Sequence, residues 1–140
     1  MKAVVNERYG PADVLDLRDI PTPEPKAGEV LIRVYATTVS RTDSCALRAH
    51  PFFVRPYTGL RRPKRTVLGL DFAGTIERVG KGVTTFTQGD RVFGLPPGGY
   101  GAHAEYVCVP ADGAVSARPS GTRFDEAVLG MPGIRRFARI

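Results

Sequence analysis

Apolar and polar positions along this chain follow the two-residue period of β-strands far more often than a helical one. Residues 2–6 (Lys-Ala-Val-Val-Asn) predict a short strand, and residues 14–19 predict a second after the Tyr9-Gly10-Pro11 turn. The proline-spaced segment Pro21-Thr22-Pro23-Glu24-Pro25 is extended and ends in a turn at Gly28. Residues 29–40 (EVLIRVYATTVS) form the clearest strand signal, rich in β-branched side chains. Thr42 or Asp43 can cap a short helix over residues 44–49, which Pro51 ends. Residues 51–65 read as an irregular loop. Strand character returns over 66–79, where Gly69 and Gly74 suggest bulges or close backbone approach. Turns at 80–82 and 88–90 flank a short strand at 91–93, and residues 104–109 alternate again. Only residues 124–129 look helical in earnest, stopped by Gly130-Met131-Pro132-Gly133. Many short strands at this spacing predict a compact β-barrel or sandwich.

Composition narrows the class. The chain has 140 residues, of which 42% are hydrophobic and 24% charged, values ordinary for one globular domain. No apolar run approaches the roughly 20 residues of a membrane-spanning helix. The charged start, Met1 to Arg8, leaves no room for the apolar core of a signal peptide. Two cysteines provide no disulfide framework, so a cytoplasmic setting is expected. The net charge of +6 is local in origin. Residues 48–65 hold six basic side chains and no acid, and Arg135, Arg136 and Arg139 stand in an acid-free tail. Such a loop attracts phosphate, or it is simply a solvated face.

Candidate chemistry is sparse. Gly99-Tyr100-Gly101-Ala102-His103-Ala104 spells Gly-x-Gly-x-x-Ala, yet it follows a proline loop and opens a strand. A dinucleotide fingerprint follows a strand and opens a helix, so a tight turn is the better reading. Cys45, His50, His103 and Cys108 lack the paired spacing of a zinc site, so no metal is expected. No nucleophile elbow is present. Ser40-Arg41-Thr42-Asp43 stands out at the end of the best strand. An arginine at such a corner can bind phosphate bidentately, and a threonine hydroxyl can anchor a substrate oxygen. The other reading is that Thr42 and Asp43 only cap the helix.

Seven segments together resemble the N-terminal, GroES-like catalytic domain of the medium-chain dehydrogenase/reductase superfamily. They are Met1-Lys2-Ala3-Val4, the run 9–15 (YGPADVL), the run 21–34 (PTPEPKAGEVLIRV), Ser40-Arg41-Thr42-Asp43, the run 68–74 (LGLDFAG), the run 79–83 (VGKGV) and the run 89–94 (GDRVFG). They keep the family's order and spacing over about residues 1–121. The zinc-dependent members carry a cysteine ligand where this chain has Ser40, and Gly-His-Glu where it has Gly69-Leu70-Asp71. Leucine cannot coordinate zinc and serine is a poor ligand, so the resemblance is to the zinc-free, quinone oxidoreductase-like branch.

That resemblance implies a mainly β fold, a GroES-like partly open β-barrel with a few short helices. It implies NADP as cofactor, no zinc, and a quinone or α,β-unsaturated carbonyl as substrate. Ser40 and Thr42 would lie near the nicotinamide or the substrate oxygen, Arg41 would hold cofactor phosphates, and Asp71 would form the cleft floor, orienting Arg41 or nearby backbone. Residues 122–140 would be the start of a linker helix and a truncated or aberrant tail. The Rossmann cofactor domain is expected to be absent, leaving the isolated chain inactive. An apolar patch near the C-terminal segment and homo-oligomers are also expected. The alternative is a non-enzymatic module using loop 48–65, with Phe52, Phe53 and Tyr57 interleaved, on a protein or nucleic-acid partner. No nucleic-acid or membrane partner is expected under the leading reading.

Overall fold

The computed structural model describes residues 1–129, with the side chains of Val54 and Tyr57 outside that description. The expected helix stop at 130–133 and the basic tail therefore lie outside the described residues. Strand β1 (Lys2–Asn6) pairs antiparallel with β2 (Leu15–Asp19), with Lys2 opposite Asp19 and Asn6 opposite Leu15. The larger sheet contains β3 (Glu29–Ala36), β4 (Phe72–Val79), β5 (Arg91–Gly94), β6 (Tyr106–Pro110) and β7 (Val115–Ala117). Its strand order is β6-β3-β4-β5-β7, antiparallel throughout. Bridges from Ala3 to Ala104 and from Val5 to Val67 join the ribbon to it. The β3–β4 register shifts twice, between Leu31 and Ile32 and between Val34 and Ala36. Such bulges increase local twist, and the sheet curls into a half-barrel. The fold is mainly β, as the sequence pattern predicts.

The concave interior is filled by Val30, Ile32, Phe72, Ile76, Val92, Ala102, Val107, Val109 and Val115. Phe72, Val30, Ile32 and Val92 are completely buried. Fully burying each such side chain stabilises the fold by about 1.5–3 kcal/mol. Among the described residues, three α-helices flank the sheet: α1 (Arg41–Arg48), the single turn α2 (Arg55–Thr58) and α3 (Phe124–Leu129). Ala127 and Val128 of α3 pack on Ala73, and Phe124 stacks on Tyr35 with ring centres 5.0 Å apart. Leu129 and Tyr35 remain largely exposed there.

Several boundaries differ from the sequence expectation, each for a local reason. The strand expected over 29–40 stops at Ala36, because the next residues turn to a carboxylate rather than to a neighbouring strand. The helix cap is Ser40, not Thr42 or Asp43; Asp43 is instead the third helical residue and closes a capping box with Ser40. The helix ends at Arg48 with Ala49 in the left-handed conformation, before Pro51 acts. The loop expected to be irregular contains a 3-10 turn at Phe52–Val54 and α2. Residues 66–71 lie largely outside the sheet, and β7 was not anticipated at all.

Candidate active-site groove

The site is built where β3 leaves the sheet. Asp71, 8% exposed, stands immediately before β4 and gathers the departing chain. Its Oδ1 accepts the Thr38 backbone N–H at 2.7 Å, and its Oδ2 accepts the Thr38 hydroxyl at 2.5 Å. Its own carbonyl accepts the Thr37 hydroxyl at 2.8 Å. The two bonds from Thr38 to the carboxylate are charge-assisted and stronger than neutral hydrogen bonds, and they draw the chain away from the sheet. The Thr38 carbonyl then lies 3.1 Å from His103 Nε2. A carbonyl only accepts, so Nε2 carries the proton, and in the neutral ring Nδ1 remains an acceptor.

Two loops stack to place that histidine. His103 N–H and Gly101 N–H donate to the Leu68 carbonyl at 2.9 and 3.2 Å. Gly69 sits at φ +103°, and a Cβ there would lie 2.6 Å from the His103 nitrogen. Only glycine permits both the backbone angle and the approach. The Gly69 N–H in turn donates to Asp43 Oδ1 at 3.1 Å, tying the start of α1 to the same loop. Asp43 Oδ2 accepts both the backbone N–H and the hydroxyl of Ser40, at 2.8 and 2.7 Å.

Above this polar floor runs a groove of about 710 Å³. Its wall is mostly apolar, with Leu15, Leu17, Val39 and Leu68 among the lining side chains, and Thr37 and His103 supply polar groups. This combination of apolar wall and a few convergent polar groups is typical of small-molecule sites.

None of the four side chains singled out from sequence lines the groove. Ser40 is absorbed by the helix cap, and Arg41 and Thr42 are exposed on the first turn of α1. Among the described residues, no hydrogen bond or ion pair engages the Arg41 or Thr42 side chain. Asp71 has Thr37, a groove residue, and Thr38 as its partners rather than Arg41. His103, Thr37 and Thr38 are additional groups that sequence reasoning passed over. Thr37 and Thr38 sat inside an apparent strand, and His103 meets Thr38 across 65 residues of sequence. Among the described residues, no three His, Cys, Asp or Glu side chains form a metal-holding group.

The profile of the alcohol dehydrogenase GroES-like domain matches residues 26–119. The chain is 37% identical over 137 residues to a quinone oxidoreductase of Homo sapiens, an alignment covering 94% of this chain and 38% of that protein. It is 31% identical over 140 residues to the chloroplastic NADPH-dependent alkenal/one oxidoreductase of Arabidopsis thaliana, covering 94% and 34% respectively. The solved structure of the Coxiella burnetii quinone oxidoreductase superposes with a TM-score of 0.79 at 30% identity, covering 91% of this chain and 40% of that one. The chain therefore belongs to the alcohol dehydrogenase GroES-like domain family, within the medium-chain dehydrogenase/reductase superfamily. Its likeness to quinone oxidoreductases is consistent with the quinone oxidoreductase-like branch of that superfamily. It spans little more than a third of the length of these curated relatives.

Proposed function

We propose that residues 1–121 are the substrate-side domain of a zinc-independent NAD(P)H-dependent oxidoreductase acting on quinones or α,β-unsaturated carbonyls. The observation that carries this reading is the apolar groove whose wall includes Thr37 and His103, two groups that hydrogen bonds to Asp71 and Thr38 hold in place. A flat ring or an enone fits the apolar walls, and its carbonyl oxygen can take a hydrogen bond from a hydroxyl on the floor. Thr37 donates its hydroxyl proton to the Asp71 carbonyl, so binding a substrate oxygen there requires that hydroxyl to turn outward. Asp71 acts as a positioning residue, holding Thr38 and through it His103.

The residues fit a dinucleotide in one respect: Arg41 offers an exposed guanidinium, unpaired among the described residues, to a phosphate. When bound, a nicotinamide cofactor supplies the hydride. Arg41 holds its charge in place, Thr42 lies at the same exposed corner, and Ser40 fixes that corner through Asp43. The donor set does not fit zinc, since the Ser40 hydroxyl is committed to Asp43 and Leu70 has no ligating atom. A cytoplasmic setting and self-association through Tyr35 and Leu129 belong to the same proposal.

For the 140-residue chain alone, the proposal gives weak NADPH binding and no turnover. Exposed ion pairs are worth about 1 kcal/mol or less each, so a few reach only millimolar affinity. Calorimetric titration with NADPH, beside a cofactor-oxidation assay with a simple quinone, tests both halves. Micromolar binding with turnover would show that the chain, as an oligomer or otherwise, carries a complete site.

A further inference from the structure

A second cavity, of about 220 Å³, lies against β1, α1 and the basic loop. Its wall includes Asn6, Tyr9, Lys64, Arg65 and Tyr100, and none of its lining residues is acidic. Asn6 is 1% exposed, and neither its Nδ2 nor its Oδ1 has a hydrogen-bond partner. An amide buried with both ends unsatisfied is costly, and native folds rarely tolerate it without a bound molecule. Its demand is specific: an acceptor for Nδ2 and a donor for Oδ1 in one small species.

The other walls fix the sign of that species. Lys64 and Arg65 bring two positive charges, and among the described residues no carboxylate pairs with either. Arg65 donates one N–H to the Pro97 carbonyl and lies 6.0 Å from the Tyr100 ring centre, which leaves further donors on its fork. The wall is held in shape before any ligand arrives. The Lys64 N–H donates to the Thr58 carbonyl at 2.8 Å, and the Tyr9 hydroxyl lies 2.7 Å from the Gly59 carbonyl, to which it donates. A cavity this small is below the range for drug-sized ligands. Lys64 and Arg65 are solvent-exposed, so their charges draw an anion toward the mouth of the cavity, where a neutral water gains nothing from them.

We propose that this cavity binds hydrogen phosphate, with Asn6 Nδ2 donating to an oxygen, Asn6 Oδ1 accepting the P–OH proton, and Lys64 and Arg65 neutralising the charge. This binding is independent of the oxidoreductase reading. Phosphate and sulfate stabilise folded proteins non-specifically, so binding must be read directly rather than from melting. The test is calorimetric titration of the 140-residue chain at neutral pH and fixed ionic strength with inorganic phosphate, sulfate and chloride. The expected result is saturable phosphate binding, several-fold weaker sulfate binding because sulfate has no proton for Oδ1, and none with chloride. Arg65→Gln should weaken phosphate about tenfold, as loss of a hydrogen bond to a charged group implies. Arg61→Gln, which removes the same charge from the same loop outside the cavity, should leave it unchanged. Asn6→Leu should abolish it while the chain stays folded by circular dichroism. Absence of saturable phosphate binding, equal sulfate binding, or equal effects of the Arg61 and Arg65 variants would overturn the proposal.

Discussion

Replacing Asp43 with alanine should cost more stability than its place on a short helix suggests. The carboxylate is 4% exposed and serves three donors: the Ser40 N–H, the Ser40 hydroxyl and the Gly69 N–H. Alanine leaves two backbone N–H groups without partners, each worth about 1–3 kcal/mol when buried. Loss of the capping interaction adds about 1 kcal/mol. Relief of carboxylate desolvation offsets part of this, so Asp43→Ala should lose about 3–4 kcal/mol. That is a large share of the roughly 5–15 kcal/mol available to a domain. Ser40→Ala, which removes one hydroxyl and leaves the Gly69 link intact, should lose only about 1 kcal/mol. The double variant should fall short of the sum, since both act on one network. Urea unfolding followed by circular dichroism measures all three, with a constant m-value confirming that only stability changed. Asp43→Asn keeps the shape and serves if the alanine variant does not fold. An Asp43→Ala loss no greater than that of Ser40→Ala would refute the view that one carboxylate ties α1 to the groove floor.

Further outcomes follow from the same structure. Gly69→Ala combines a left-handed backbone angle with a contact at 2.6 Å to the His103 nitrogen, so it should cost about 2 kcal/mol or more and shift the His103 ring resonances in NMR spectra. Burial first, and then the nearby Glu29 charge, raise the Cys108 thiol from 9.0 to about 11, against an opposing effect of Arg78. The folded chain therefore holds this proton more tightly than the unfolded one. Its contribution to stability is complete below pH 9 and is lost as pH rises toward 11, and alkylation of Cys108 at pH 8 should be about a hundredfold slower than in the unfolded chain. In gel shifts at physiological salt the basic loop should not retain nucleic acid; retention that weakens steeply with salt would favour the binding-module alternative.

Much of this molecule is legible before folding because its signals are local. The alternation of residues 2–6 and 91–93, and the helical run 124–129, each report on a segment that needs only its own pattern. The short β7 escapes because three residues, Val115 to Ala117, carry too little alternation, and pairing with β5 is what makes them a strand. Residues 37–40 mislead for the opposite reason. Their β-branched composition favours a strand, but Asp71, more than 30 residues away, captures Thr37 with its backbone carbonyl and Thr38 with its carboxylate. The Ser-x-x-Asp spacing of Ser40 and Asp43 carries a capping box legible in the sequence, although Thr42 and Asp43 are the more obvious cap candidates by residue type. His103, whose sequence spacing rules out a zinc role, gains a polar role through its contact with Thr38 across 65 residues.

The central claim is that the apolar groove receives a quinone or enone ring over the Thr37–His103 floor. Titration of isotopically labelled chain with a fully methylated quinone, whose ring carbons are blocked to thiol addition, tests it most directly by backbone amide shifts. The expected shifts cluster on Leu15, Leu17, Thr37, Thr38, Ala102 and His103, and leave the loop 48–65 unmoved. Shifts confined to that loop, or none up to the solubility of the quinone, would contradict the assignment of the groove as the substrate site.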